Sequence, residues 1–336
     1  MSALFQYERH LTQGDEIRLI ELQPGQRNDS LRATIRYRSL GEKPFYQGLS
    51  YTWGSPFNTD HPSWDQYKGL DTKWDFYLDG VRIEITDSLH SALIRVRKVD
   101  DYIHLWVDAV CIDQSHAGEK SWQIQKMREI YEKASQVLLW LGPSDETSGL
   151  AMLTLQAGYR YYLRTSPLMK LGDIRYDPPP ASDDQEFEDQ LVAASIGQLF
   201  GMTIDSDVPI PEYPIQAVAN LLNRAYWGRG WCWQEFTVAT RISIMCGAHV
   251  LDDGDMCIQV FFETWDTLKG TLGRQPYGLD HRPWSIMELR RSYRNIVYLK
   301  EIGFVDDGRS YQTFDMPFKI WGFQNVGLWL PVRVNY

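Results

Sequence analysis

Cysteine is scarce in this chain: four residues in 336 (Cys111, Cys232, Cys246 and Cys257), none in a C-x-x-C spacing. That scarcity argues against a disulfide framework or a structural zinc site and fits a reducing, cytoplasmic location. Positive charge is also in short supply, with 34 Lys and Arg against 44 Asp and Glu and a formal net charge of -10. Non-specific binding to nucleic acid or anionic lipid needs basic patches, so neither partner is expected. No apolar run reaches the ~18–20 residues that span a bilayer, and Glu8-Arg9-His10 interrupts any signal-peptide core. The histidines form no H-E-x-x-H pair, and G-x-G-x-x-G, G-x-x-x-x-G-K-[ST] and G-x-S-x-G are all missing. Metal hydrolase, P-loop, dinucleotide-fold dehydrogenase and α/β-hydrolase readings lose their support, and no metal site or bound cofactor is expected.

Aromatic residues, by contrast, are plentiful: 13 Trp and 19 Tyr, with Trp227, Trp231 and Trp233 close together. Core filling is the ordinary use of such residues. Segments 15–22 and 31–39 alternate as two strands joined by the turn-forming PGQRND. A third extended run, 45–51, stops at Trp53-Gly54-Ser55-Pro56. Residues 74–85 read as a hairpin around Asp79-Gly80. Thr86-Asp87-Ser88 offers N-caps for an amphipathic helix over about 88–98.

IHLWVDAVCI (103–112) has the apolar density of a strand covered on both faces, with Asp108 on the face of Trp106 and Val110. Residues 118–134 form the clearest helix, its stripe made by Ile124, Met127, Ile130, Tyr131 and Ala134, with Glu119 and Gln123 facing away. QVLLWLG (136–142) is a further buried strand. Strand and helix thus alternate from 45 to 142, which predicts a parallel sheet. Helices follow over 147–165, 188–200, 214–225 and 228–240, then a strand or hairpin over 241–251. A Pro-rich acidic insertion lies near 171–190, and 251–336 reads as a mainly helical extension ending in the apolar NVGLWLPVRVNY. The fold class is α/β: a central, mostly parallel sheet flanked by helices, with extra N-terminal strands.

Ligands of open parallel sheets bind beyond the carboxyl ends of the strands. Segments 50–54, 113–115 and 142–145 should meet there. Asp108, inside an apolar run, needs hydrogen bonds from backbone or from an arginine such as Arg229, a structural role. Asp113 and Gln114 suit a ligand or a helix cap, and Glu119 suits the first turn of a helix. Glu235 stands among Trp231, Trp233 and Phe236, where desolvation raises a carboxyl pKa. It either stabilises an oxocarbenium-like transition state or pairs with Arg229 or Arg241. Cys232 has no nearby base to activate it.

Several long blocks then carry a resemblance. Tyr46-Gln47-Gly48-Leu49-Ser50-Tyr51-Thr52-Trp53-Gly54 resembles the Y-x-A-L-S-Y-x-W-G opening of the fungal heterokaryon incompatibility (HET) domain family. Leu105 to Gln114 resembles its L-W-I-D-A-I-C-I-N/D-Q block. Glu119 to Ala134 followed by Val137 to Gly142, and Arg229 to Glu235, resemble the later blocks in the right order. Gly48 replaces the usual Ala, Asp113 replaces the commoner Asn, and the D-P-R-D-x-x-Y-A-L-L-G block is absent.

The resemblance implies a HET domain over 1–250, with core motifs at 45–142 and 228–247. It also implies an effector of non-self recognition and regulated cell death. Self-association and an upstream non-self receptor are the implied partners. Trp231-Cys232-Trp233-Gln234-Glu235 is also similar to the W-C-x-x-E segment of Toll/interleukin-1 receptor (TIR) domains, whose Glu serves NAD cleavage in catalytic members. On that resemblance Glu235 is the catalytic residue and NAD the candidate substrate. Ser50, Trp53, Asp113, Arg229 and Trp231 would bind it, while Asp108, Gln114 and Glu119 would be structural. The alternative is a non-catalytic TIR-like signalling and self-association module.

Overall fold

Asp79 and Gly80 both adopt left-handed backbone (φ 48° and 79°), the geometry a two-residue hairpin turn requires. They join β4 (Lys73–Leu78) to β5 (Val81–Thr86) in antiparallel register, as Asp-Gly between alternating runs predicts. The structure, a computed structural model, describes residues 5–69, 72–165, 185–200, 213–262, 285–287, 289, 290 and 294. The expectations for 171–184, for most of the extension and for the terminal NVGLWLPVRVNY lie outside the described residues. Residues 254–262 of the extension are helical.

The remaining strands are β1 (Glu16–Leu22), β2 (Leu31–Ser39), β3 (Gln47–Tyr51), β6 (Ile103–Trp106), β7 (Gln136–Trp140), β8 (Ile242–Cys246) and β9 (His249–Leu251). Among the described residues these nine strands form one sheet in the order β5-β4-β2-β1-β6-β3-β7-β8-β9. The sheet is mixed rather than mostly parallel. β1–β2, β1–β6, β4–β5 and β8–β9 pair antiparallel, and β2–β4, β3–β6, β3–β7 and β7–β8 pair parallel. The physical reason is local for three of the antiparallel pairs, β1–β2, β4–β5 and β8–β9, which are joined by short connections, while β1–β6 adds an antiparallel seam between distant strands. Within this mixed sheet β6, β3, β7 and β8 run the same way, so their carboxyl ends share one edge.

The helices are α1 (Trp64–Tyr67), α2 (Asp87–Val96), α3 (Asp108–Cys111), α4 (Ala117–Lys133), α5 (Ser148–Thr165), α6 (Gln185–Phe200), α7 (Pro214–Leu222) and α8 (Gly230–Val238). Thr86 caps α2 by accepting from the Leu89 N–H at 3.3 Å. Pro214 opens α7, where a missing N–H costs nothing. Among the described residues no helix is long and apolar enough to cross a membrane.

Two expectations are corrected. The apolar run 103–112 is not one strand: it stops at Trp106, and α3 begins at Asp108, whose Oδ1 accepts from the Ala109 N–H at 2.7 Å. A short acid that can bond the next backbone N–H favours a turn over a ladder. Glu119 and Gln123 do not face solvent. They are buried in line with Met127, Ile130 and Tyr131 on the inner face of α4, because both find polar partners inside.

Two glycines are demanded by close approach. A Cβ on Gly142, whose φ is +101°, would lie 2.3 Å from the Pro56 Cβ. At Gly48 a Cβ would lie 2.9 Å from Cδ1 of the Tyr131 ring. The loss of one methyl against the family's usual Ala is therefore matched by a tyrosine filling that space. Gly48→Ala is expected to lower unfolding free energy by about 1–3 kcal/mol, the usual cost of overpacking, measured by urea denaturation. An unchanged midpoint would mean that Tyr131 moves aside freely.

Candidate active site

Ser50, fully buried on β3, and Glu235, 5% exposed on α8, are hydrogen-bonded across a sequence separation of 185 residues. Ser50 Oγ also shares a hydrogen bond with the Tyr226 hydroxyl at 2.8 Å. Tyr131, near Glu235, donates to the Leu49 carbonyl at 3.1 Å. Burial pushes the Glu235 carboxyl up to about 8, and the nearby Asp108 charge adds to the effect; Ser50, Arg229 and Tyr131 oppose it. Neither Arg229 nor Arg241 forms the ion pair that would hold Glu235 ionised. Burial likewise raises the Cys232 thiol well above its ordinary value, which disfavours the thiolate.

Around this acid the carboxyl ends of β3 and β6 bring further groups. Trp53, 41% exposed, donates its indole Nε1–H to Asp108 Oδ2 at 2.9 Å. Asp108 is half-buried, and desolvation raises its pKa against the hydrogen bonds that favour its anion. Arg229 donates to the Tyr51 carbonyl at 2.6 Å rather than to Asp108, and its charge acts on both acids through space. Gln114 donates to the Asp108 carbonyl at 2.9 Å, fastening the turn of α3. Trp231, at the start of α8, is 43% exposed.

Asp113 and Glu119 belong to a different cluster. Glu119 is fully buried against Arg18, which reaches both carboxylate oxygens. It also accepts from the backbone of Leu11 at 2.9 Å and of Asp113 at 2.7 Å. These partners hold it below its ordinary pKa despite burial. Asp113 accepts from Ser115, and His10 Nδ1 stands 3.4 Å from its Oδ2. His10, Asp113 and Glu119 offer ligand atoms within 4.8 Å of one another. The Arg18 guanidinium already occupies the Glu119 oxygens, an unfavourable setting for a cation.

The structure thus joins Ser50, Asp108, Trp53, Arg229 and Glu235 and gives Asp113 a separate set of partners. Tyr226, Tyr131, Tyr51 and Arg18 were not singled out from the sequence. Arg18 alone left a signal, as a charge inside the apolar run of β1.

The chain matches the family described as Heterokaryon incompatibility protein (HET) over residues 46–235. That span exceeds half of the chain, which therefore belongs to the HET family. It opens at Tyr46, which leads into β3, and closes at Glu235. The chain is also similar to heterokaryon incompatibility protein 6, OR allele, of Neurospora crassa, at 27% identity over 278 residues. That alignment covers 75% of this chain and 38% of the relative, so the chain spans well under half the relative's length. No solved structure matches the chain.

The raised Glu235 pKa has a thermodynamic consequence. Between its ordinary value near ~4.3 and about 8, the folded state holds a proton that the unfolded chain releases. The stabilisation is complete below the lower value and is lost as pH rises through the upper one. Glu235→Gln lacks this loss. The melting-temperature difference, variant minus wild type, is expected to grow by several degrees from pH 5 to pH 8, reflecting a few kcal/mol at most (~1.4 per pH unit). A difference that stays flat over that range would mean the acid is ionised throughout. Removing one partner of the other buried pair, as in Glu119→Gln, is expected to cost about 3–5 kcal/mol in urea denaturation.

Proposed function

We propose that this chain is an effector domain of heterokaryon incompatibility that drives regulated cell death by cleaving the N-glycosidic bond of NAD at Glu235. The observation that carries this reading is the Ser50–Glu235 hydrogen bond. It sets a carboxyl of raised pKa beside the carboxyl ends of the parallel strands, where ligands of such sheets bind. In the reaction the bond between ribose C1′ and the nicotinamide nitrogen breaks, and the bonding pair leaves with neutral nicotinamide. Positive charge develops on the ribose, and water adds to C1′ to give ADP-ribose and a proton. Glu235 in its ionised form stabilises that developing charge, while Trp53, Arg229 and Trp231 supply the surrounding contacts. A positively charged ring arriving beside Glu235 favours ionisation.

The order β6-β3-β7-β8 among the parallel strands supports a TIR-like core, because it places the second strand beside the first and the third on the other side. Self-association and an upstream non-self receptor are the proposed partners. The four cysteines, all free and buried, fit a cytoplasmic site of action. The second reading, a non-catalytic TIR-like signalling and self-association module, is favoured by one observation. At 5% exposure, Glu235 also fastens α8 to β3.

Purified protein, self-associated at high concentration, is expected to release nicotinamide from NAD. Glu235→Gln is expected to lower the rate on the order of 10²–10³-fold, the usual effect of removing one electrostatic group. Because ionised Glu235 is the working form, kcat/KM should rise with pH and level off above about 8. Intact NAD under these conditions, together with cell killing that survives Glu235→Gln, would establish the non-catalytic reading.

A further inference from the structure

Asp108 was expected to be a structural acid buried in a strand. It instead opens α3 one residue beyond the end of β6 and is half-buried. Its two carboxylate oxygens accept from the Trp53 indole N–H at 2.9 Å (Oδ2) and the Ala109 backbone N–H at 2.7 Å (Oδ1), donors that cannot accept a proton, and the Tyr51 hydroxyl stands beside them. Glu235 faces a hydroxyl, Ser50, itself hydrogen-bonded to a second hydroxyl, Tyr226, and a hydroxyl can accept or donate. Asp108 thus has two fixed N–H donors that favour its anion and Glu235 has none among the described residues, so a proton shared by the two acids sits on Glu235. The same N–H that fixes Asp108 belongs to a ring that is 41% exposed, so anion and indole are presented together. An indole face attracts cations and flat rings, and attracts flat cations most.

The charges lead to the same ligand class. Two carboxyl groups stand against the Arg229 guanidinium, which donates through Nη1 to the Tyr51 carbonyl. With both acids ionised the cluster carries one surplus negative charge, which either a proton or a monovalent cation neutralises.

We infer that Asp108 and Trp53 form the cation-selecting wall of this site, binding a flat N-alkylated pyridinium in preference to its uncharged counterpart. This rests on the NAD-cleaving reading and deepens it. Asp108 would be the second carboxylate of the site and would select the oxidised over the reduced dinucleotide, whose nicotinamide ring is neutral.

The test uses 1-methylnicotinamide, a permanent pyridinium that cannot lose a ribose, with nicotinamide as its neutral counterpart, in ligand-observed NMR titrations of the full chain. Wild type is expected to bind the cation at least tenfold more tightly than the neutral ring, and Asp108→Asn to bring the two within about twofold. Trp53→Phe keeps an aromatic face and the acid but replaces the indole and removes its N–H, and is expected to weaken cation binding severalfold. It serves as the test if the Asn variant fails to fold. Equal binding of the two ligands by wild type, no binding of the cation, or a preference that survives both variants would overturn the inference. Hydrolysis of NAD is measured on the same samples. A cation preference lost in Asp108→Asn without NAD cleavage in any sample defeats the catalytic reading but leaves the binding wall standing. NAD cleavage with no cation preference does the reverse.

Discussion

A carboxyl group removed from water must be neutral, hydrogen-bonded or paired, and the Ser50–Glu235 contact is where this protein meets that constraint between its two distant motif blocks. β3 and α8 are separated by most of the domain, yet the Ser50–Glu235 hydrogen bond, with the Tyr226 hydroxyl on Ser50, fixes α8 against the sheet edge. The position of α8 in turn decides where Arg229 and Trp231 emerge. The Arg229 bond to the Tyr51 carbonyl ties the same helix start to the last residue of β3. The carboxyl end of the sheet is therefore assembled by polar contacts laid over an apolar core.

The two buried glutamates show how environment divides structural from chemical roles. Glu119 meets a guanidinium and two backbone N–H groups, all donors to an anion, and its pKa falls despite complete burial. Glu235 is pushed up by burial and by the neighbouring Asp108 carboxylate, against the weaker pull of the Ser50 hydroxyl. Burial acts to raise both acids, and the Glu119 donors overcome it whereas the Glu235 partners do not. Glu119 is locked in one charge state over the physiological range. Glu235 lies close enough to neutrality to change state when a charge arrives, which is the property a reacting acid needs.

Much of this was legible in the sequence where a single local force dominates. Asp79-Gly80 dictated a hairpin, Thr86 a cap, and the apolar stripe of residues 127–131 a helix face; all three appear. Ser50 and Trp53 could be assigned to one edge because parallel strands must end together, whereas Glu235 was reached through its aromatic neighbours and the W-C-x-x-E resemblance, and Asp113, assigned to the same edge, has other partners. The misreadings arose where polarity was taken as exposure. Glu119 and Gln123 carry polar atoms but find partners inside, which no periodicity records. Asp108 looked like a strand residue because its neighbours are apolar, yet its own side chain bonds the next N–H and turns the chain. The tyrosines around Glu235 were unreadable for a related reason: one buried tyrosine resembles another until the partner of its hydroxyl is known.

That turn at Asp108 has a consequence beyond secondary structure. Had β6 continued to Ile112, strand alternation would have set Asp108 on the face shared with Trp106, a fully buried core position. Ending the strand at Trp106 frees the acid to leave the sheet at its carboxyl edge and meet the Trp53 N–H, while Val110 and Cys111 turn back into the core. The same four-residue turn thus separates the apolar and polar uses of one block. Trp106 and Val110 fill the interior, Asp108 stands at the rim, and Gln114 holds the turn closed through the Asp108 carbonyl. In the proposed site a negative charge at that rim, with a neutral acid behind it, gives an approaching cation a graded path. It meets fixed charge first at the exposed indole, and its own field then favours loss of the proton from Glu235.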